Sequence, residues 1–200
     1  MYQRIILILT LAISLAACSE NKLTPLSGSA KILAFGDSLT AGKGVNIEHS
    51  YPTVLAQLSG LEVINAGISG ELTQQGLARF SQLINEVNPE LIVLLEGGND
   101  ILQNNNLAQT KQHLDAMITL AKEQNMQIVL VGVPKKSLFS SSAKFYSELA
   151  DKHALVFNGE IIAELLKNQQ YKSDSVHFNQ AGYKKLAATI HQLLLDNGAL

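Results

Sequence analysis

Short apolar runs recur along the chain, each closed by a polar or glycine-rich break: Lys31–Phe35 (KILAF), Leu61–Asn65 (LEVIN), Leu91–Leu95 (LIVLL), Gln127–Val133 (QIVLVGV) and a brief Leu155–Phe157. Runs of this length between turn residues read as buried strands. Leu91–Leu95 is the most apolar and leads straight into Glu96-Gly97-Gly98-Asn99-Asp100. Between the runs, apolar positions return at helical spacing. Ser50-Tyr51-Pro52 reads as an N-cap with proline in the first turn, opening a helix to about Leu58. Thr73 is placed to cap a helix from Gln74 to Val87, with Leu77, Phe80, Leu83, Ile84 and Val87 on one face and Asn88-Pro89 ending it. Further helices are expected over Leu107–Gln124, Ser142–Lys152, Glu160–Leu166 and Ala181–Leu195.

Strands alternating with helices call for a parallel sheet covered on both faces. The expected fold is therefore α/β, a three-layer α/β/α sandwich around a parallel, flavodoxin-like sheet, with no internal repeat and no second domain. Ligands in such sheets bind beyond the carboxyl ends of the strands. Ser38 follows the first strand, Gly70 the second and Asn99 the third, so the pattern alone sends all three to one edge.

Composition narrows the class. The chain has 200 residues, 46% of them hydrophobic, with a formal charge of −2, which suits one domain with a sizeable core. Near-neutral charge without a lysine or arginine run argues against nucleic acid as a partner. The N-terminus is different in kind. Arg4 precedes an apolar run from Ile5 to Ala17 that holds only Thr10 and Ser14 as polar residues. That is the layout of a secretory signal, and it falls short of the ~20 residues needed to span a bilayer. Leu15-Ala16-Ala17-Cys18 resembles the bacterial lipobox, which implies cleavage before Cys18 and its acylation. A plain signal peptide with Ala-x-Ala-like cleavage is the alternative. Cys18 is the single cysteine, so no intrachain disulfide can form. Ser19 to Ala30 is polar and aperiodic and reads as a mobile tether. The expected division is a signal over 1–17, an acylated cysteine and tether over 18–30, and one domain over 31–200. Ser19 after the cysteine, by resemblance to the bacterial sorting rule, implies the periplasmic face of the outer membrane.

Three segments carry candidate chemistry: Phe35-Gly36-Asp37-Ser38-Leu39, Gly97-Gly98-Asn99-Asp100 and Asp174-Ser175-Val176-His177. A serine hydroxyl is a poor nucleophile until a base is paired with it. Asp174 and His177, three apart, can set a carboxylate beside an imidazole that takes the serine proton. A tetrahedral intermediate needs donors on its oxyanion, which Asn99 offers as an amide and Gly70 and Ser38 as backbone N–H groups. Asp37 reads as a brace for its turn and Asp100 as a turn residue. The Gly-x-Ser-x-Gly elbow is absent because position 40 is Thr. A phosphate loop is absent too, since Gly36 and Gly42-Lys43 are wrongly spaced and Gly44 stands where Ser or Thr would bind magnesium. No histidine or acidic cluster has metal-ligand spacing. His49, His113, His153 and His191 read as surface residues.

On these residues the sequence resembles the SGNH (GDSL-type) hydrolases over Lys31 to about Leu195. The resemblance implies Ser38 as nucleophile, Asp174 and His177 as its partners, and Gly70 and Asn99 in the oxyanion hole beside the Ser38 N–H. Ser69-Gly70-Glu71-Leu72-Thr73-Gln74-Gln75-Gly76-Leu77-Ala78-Arg79 resembles more narrowly the bacterial thioesterase I/lysophospholipase/arylesterase branch. That branch implies broad hydrolysis of acyl thioesters, aryl esters and lysophospholipids without metal or cofactor. Leu72 departs from the usual Gly-x-Thr, with Thr73 next door, and Ile101 and Asn104–Asn106 depart in a region that shapes the acyl pocket. The expected protein is a monomeric serine esterase acting on a small ester or thioester. A carbohydrate O-acetylesterase of the same fold and a non-catalytic envelope lipoprotein are the alternatives.

Overall fold

The structure is a computed structural model and describes residues 23–135 and 141–200. The signal over 1–17 and the candidate lipidation site Cys18 lie outside the described residues. Each apolar run becomes a strand: β1 (Lys31–Gly36), β2 (Glu62–Gly67), β3 (Leu91–Leu95), β4 (Gln127–Val131) and β5 (Val156–Asn158). All pair in parallel, in the order β2-β1-β3-β4-β5, which is the flavodoxin-like arrangement. Every residue of β3 is buried, as a central strand covered on both faces requires.

The helices are α1 (Ser38–Ala41), α2 (Tyr51–Ser59), α3 (Thr73–Val87), α4 (Gly98–Leu102), α5 (Leu107–Glu123), α6 (Lys144–His153), α7 (Ile161–Lys167) and α8 (Gln180–Asp196). α2 packs on α8, and α3 packs on α5, which meets α6, giving the two outer layers. α3 buries Phe80 and Ile84 and stops at Asn88, in the left-handed region ahead of Pro89. Among the described residues no helix is long and apolar enough to cross a membrane.

Two expected caps differ. Ser50 stands at the start of α2 but spends its hydroxyl on the Ile47 carbonyl at 2.7 Å. Thr73 is the first residue of α3 rather than its cap, and its hydroxyl donates to Asp100 at 2.8 Å.

The tether needs correction for its second half. Leu23 and Leu26 donate backbone N–H groups to the Asn197 and Ala199 carbonyls at 2.8 and 2.9 Å. Thr24 exchanges two hydrogen bonds with the Gln127 side chain, and Ser27 bonds Glu90. Leu23 and Leu26 pack on the core and Ala30 is buried. The physical reason is that these two leucines and the open backbone groups after α8 complete each other. Their partners Glu90 and Gln127 stand at the starts of β3 and β4, so the segment is docked on the amino edge of the sheet.

Candidate active site

The carboxyl edge of the sheet is built around a close approach at Gly36. A Cβ there would lie 1.9 Å from the Leu95 carbonyl oxygen and 2.5 Å from Thr40 Oγ1. Only glycine lets β1, β3 and α1 meet this tightly. Asp37 then caps α1, its Oδ1 accepting from Leu39 N–H at 3.0 Å, so the reading of Asp37 as a brace holds. Ser38 opens that helix and is half-buried.

Asp174 and His177 come from the loop before α8. Asp174 Oδ1 accepts backbone N–H bonds from Val176 and His177, both at 2.9 Å, while its Oδ2 lies 2.8 Å from His177 Nδ1. Burial works to raise the Asp174 pKa, but these backbone and imidazole bonds outweigh it and draw the group down to about 2. An ionised carboxylate only accepts, so Nδ1 carries the proton and Nε2 is left as an acceptor. Nε2 faces Ser38 Oγ at 3.0 Å. Ser38, His177 and Asp174, up to 139 residues apart in sequence, thus stand in one hydrogen-bonded line.

The predicted oxyanion donors converge unequally. Asn99 lines the same cavity as Ser38 and His177. Its Nδ2 donates to the Glu71 carbonyl at 3.0 Å, with Asp37 Oδ2 at 3.4 Å. Gly70 is exposed and is not among the residues lining that cavity. It occupies the third position of a turn closed by Glu71 N–H to the Ile68 carbonyl at 3.2 Å, with φ +85°. That conformation suits glycine, and an added Cβ would meet nothing within 4 Å among the described residues.

Behind these donors lies a buried acidic group that sequence reasoning did not find: Asp37, Glu71, Glu96 and Asp100. Asp100 accepts from Thr73 N–H, Thr73 Oγ1 and Thr110 Oγ1 at 2.9, 2.8 and 3.2 Å, which makes it a clamp between α4 and α3 and not only a turn residue. Glu71 is held by Arg79 through two bonds of 2.7 and 2.5 Å. Glu96 is fully buried, and among the described residues neither of its carboxyl oxygens has a hydrogen-bond partner. Burial pushes its pKa well up, helped by the charges of Asp37 and Glu71. Burial likewise raises Asp37, to about 6, against the lowering pull of the Leu39 N–H, the His177 charge and the Gly98 N–H. Glu71 and Arg79 stand eight apart with Glu71 outside α3, not at the three- or four-residue spacing of helix neighbours, so their pairing has no local signal in the sequence. Glu96 carries none, because only burial makes it unusual.

Two histidines correct the surface reading. His113 Nδ1 lies 3.0 Å from Thr73 Oγ1, and His153 Nε2 lies 2.5 Å from Asp115 with its side chain only 13% exposed. Among the described residues, no group of three His, Cys, Asp or Glu side chains is placed to hold a metal ion.

Beside Ser38 opens a cavity of about 230 Å³. Leu39, Ile101 and Leu102, with Val133, Ile162 and Leu166, give it apolar walls. Such walls suit an acyl chain, and Ser38, Asn99 and His177 line the same cavity. Chemically, the arrangement can deprotonate a hydroxyl beside an apolar slot.

The chain is similar to known proteins in sequence and in fold. An arylesterase of Vibrio mimicus is 36% identical over 110 residues, 52% of this chain and 55% of that protein. Esterase TesA of Pseudomonas aeruginosa is 33% identical over 116 residues, 56% and 58% of the two chains. In both, the match spans little more than half the relative's length. The thioesterase 1/protease 1/lysophospholipase L1 of Escherichia coli is 31% identical over 157 residues, 74% of this chain and 76% of that one. Among solved structures, TesA superposes with a TM-score of 0.74 at 24% identity, covering 82% of this chain and 97% of that one. AlinE4, an SGNH-hydrolase family esterase, superposes with a TM-score of 0.64 at 27% identity, covering 86% and 97%. The family model for GDSL-like lipases and acylhydrolases matches residues 34–185, from inside β1 into α8, and the chain belongs to that family.

Proposed function

We propose that the protein is a serine ester hydrolase acting on carboxylic esters or thioesters through an acyl-enzyme. The observation that carries this reading is the line from Asp174 to His177 to Ser38, at 2.8 and 3.0 Å, opening on an apolar cavity. His177 Nε2 takes the Ser38 proton as Oγ attacks the acyl carbon. Asn99 Nδ2, the Gly70 N–H and the Ser38 N–H receive the oxyanion. The protonated leaving group departs, and water, deprotonated by the same imidazole, releases the acid. Asp174 keeps the tautomer and balances the imidazolium. No metal or cofactor enters any step.

The relatives named arylesterase, esterase and thioesterase/lysophospholipase support esters and thioesters as the substrate class. The cavity volume, about 230 Å³, lies below the roughly 300–1,000 Å³ of clefts for drug-sized ligands, which favours short to medium acyl groups. The test is a rate profile on p-nitrophenyl esters from acetate to palmitate, with acyl-CoA thioesters alongside. The reading expects a maximum at butanoyl to octanoyl and a steep fall at palmitoyl. Activity confined to acetate would turn the assignment toward a carbohydrate O-acetylesterase.

The proposal extends to location. The lipobox-like Leu15-Ala16-Ala17-Cys18 supports an exported protein held in the bacterial envelope by acyl chains on Cys18, at the periplasmic face of the outer membrane, acting as a monomer.

A further inference from the structure

We infer that Arg79 is a positioning residue for the oxyanion hole, acting through Glu71; this rests on the proposed roles of Ser38 and Asn99. The guanidinium ties together three pieces of chain that meet at the site. Its Nη2 donates to the Ala66 carbonyl near the end of β2 at 2.8 Å. Nε and Nη2 hold the two carboxylate oxygens of Glu71 at 2.7 and 2.5 Å. Its Cζ lies 4.1 Å from the centre of the Phe35 ring, three residues before Ser38 on the chain. Fork-to-carboxylate geometry with a cation over a ring fixes position and orientation together.

What Arg79 fixes is the turn that bears Gly70 and meets the Asn99 amide. Glu71 directly follows Gly70, and the Glu71 carbonyl is the acceptor that orients Asn99 Nδ2 at 3.0 Å. One residue thus sets Gly70 through the chain and Asn99 through a hydrogen bond, and Arg79 holds that residue by its side chain. The Glu71 carboxylate is 5% exposed and Arg79 25%, and Glu96 lies near enough for the Glu71 charge to raise its pKa. Without the guanidinium, a buried anion is left unpaired beside other acids. Glu71 then relaxes toward water, and the Gly70–Glu71 turn and its hold on Asn99 move with it. A donor aimed at an oxyanion loses its value with small displacement.

A double-mutant cycle with p-nitrophenyl butyrate tests this. Asn99→Ala alone should lower kcat ~10²-fold or more. Arg79→Gln alone should lower kcat about 10-fold with KM within about 2-fold, and Arg79→Lys should recover only part. In the Asn99→Ala background, Arg79→Gln should cost clearly less, about 3-fold, because its hold on Asn99 is gone and only its hold on Gly70 remains. Equal losses in both backgrounds, or a loss in KM alone, would overturn the inference. Glu71→Gln, which keeps the carbonyl and weakens the clamp, is the second variant if Arg79→Gln folds poorly, and it should show the same non-additivity. Failure of the underlying reading is distinct: Ser38→Ala or Asn99→Ala would then leave kcat unchanged.

Discussion

Asp37 shows how a single position can be readable in sequence and still hold something back. Its cap on Leu39 follows from an aspartate at a strand-to-helix turn. Its burial among Glu96, Asp100 and the Asn99 amide depends on chain segments 60 residues away, which no local pattern reveals. The same contrast divides the whole candidate site. Ser38, Asp174 and His177 were legible because they sit in short motifs, Gly-Asp-Ser-Leu after a strand and Asp-x-x-His before the last helix, whose joint occurrence points to one chemistry. Glu71 and Arg79 pair across a turn of unknown shape, so their bond was not. The burial has a pH consequence. Asp37 is raised from 3.8 to about 6 in the folded protein, so the fold binds its proton more tightly than the unfolded chain does. The associated stability is present in full below pH 3.8 and is lost as pH climbs through about 6. Urea midpoints should show wild type losing on the order of 2–3 kcal/mol across that window relative to Asp37→Asn. Parallel pH profiles for the two proteins would show that Asp37 does not titrate there.

At the scale of elements, the strands were legible from length and apolar content, since a parallel strand covered on both faces has no polar positions to confuse the pattern. Their observed ends differ from expectation by a residue or two, as at Glu62–Gly67 against Leu61–Asn65. The short α4 was not legible. It begins at Gly98 after Gly97, which sits at φ +104°, and two glycines offer no helical signal. The segment from Leu23 to Ala30 was misread because polar, aperiodic sequence with proline and glycine looks the same docked or free. What docks it is two leucines and a few backbone hydrogen bonds supplied by the far end of the chain. The double substitution Leu23→Ser/Leu26→Ser should therefore destabilise the protein by about 1–3 kcal/mol in urea unfolding and leave kcat on a soluble ester unchanged. An unchanged midpoint would mean that the segment is a free tether after all.

For the molecule as a whole, the docked segment and the candidate site lie at opposite edges of the sheet. Ser38, Gly70 and Asn99 follow the carboxyl ends of β1, β2 and β3, whereas Leu23–Ala30 bonds Glu90 and Gln127 at the amino ends of β3 and β4. A strand of six residues separates the edges by about 20 Å. An anchor at Cys18 would consequently hold the cavity away from its own membrane and toward the aqueous compartment. Cys18→Ser should move the protein out of the membrane fraction while leaving the rate on water-soluble esters unchanged; membrane retention without Cys18 would remove the anchor from the account. The central claim is that Ser38 is the nucleophile of an acyl-transfer site. Its most direct test is the intact mass of the folded protein after exposure to a p-nitrophenyl alkylphosphonate, in parallel for wild type, Ser38→Ala and His177→Ala. The account predicts one covalent phosphonyl group on wild type with loss of esterase activity, none on Ser38→Ala, and strongly slowed addition to His177→Ala. Addition that persists in folded Ser38→Ala, with esterase activity intact, would contradict it.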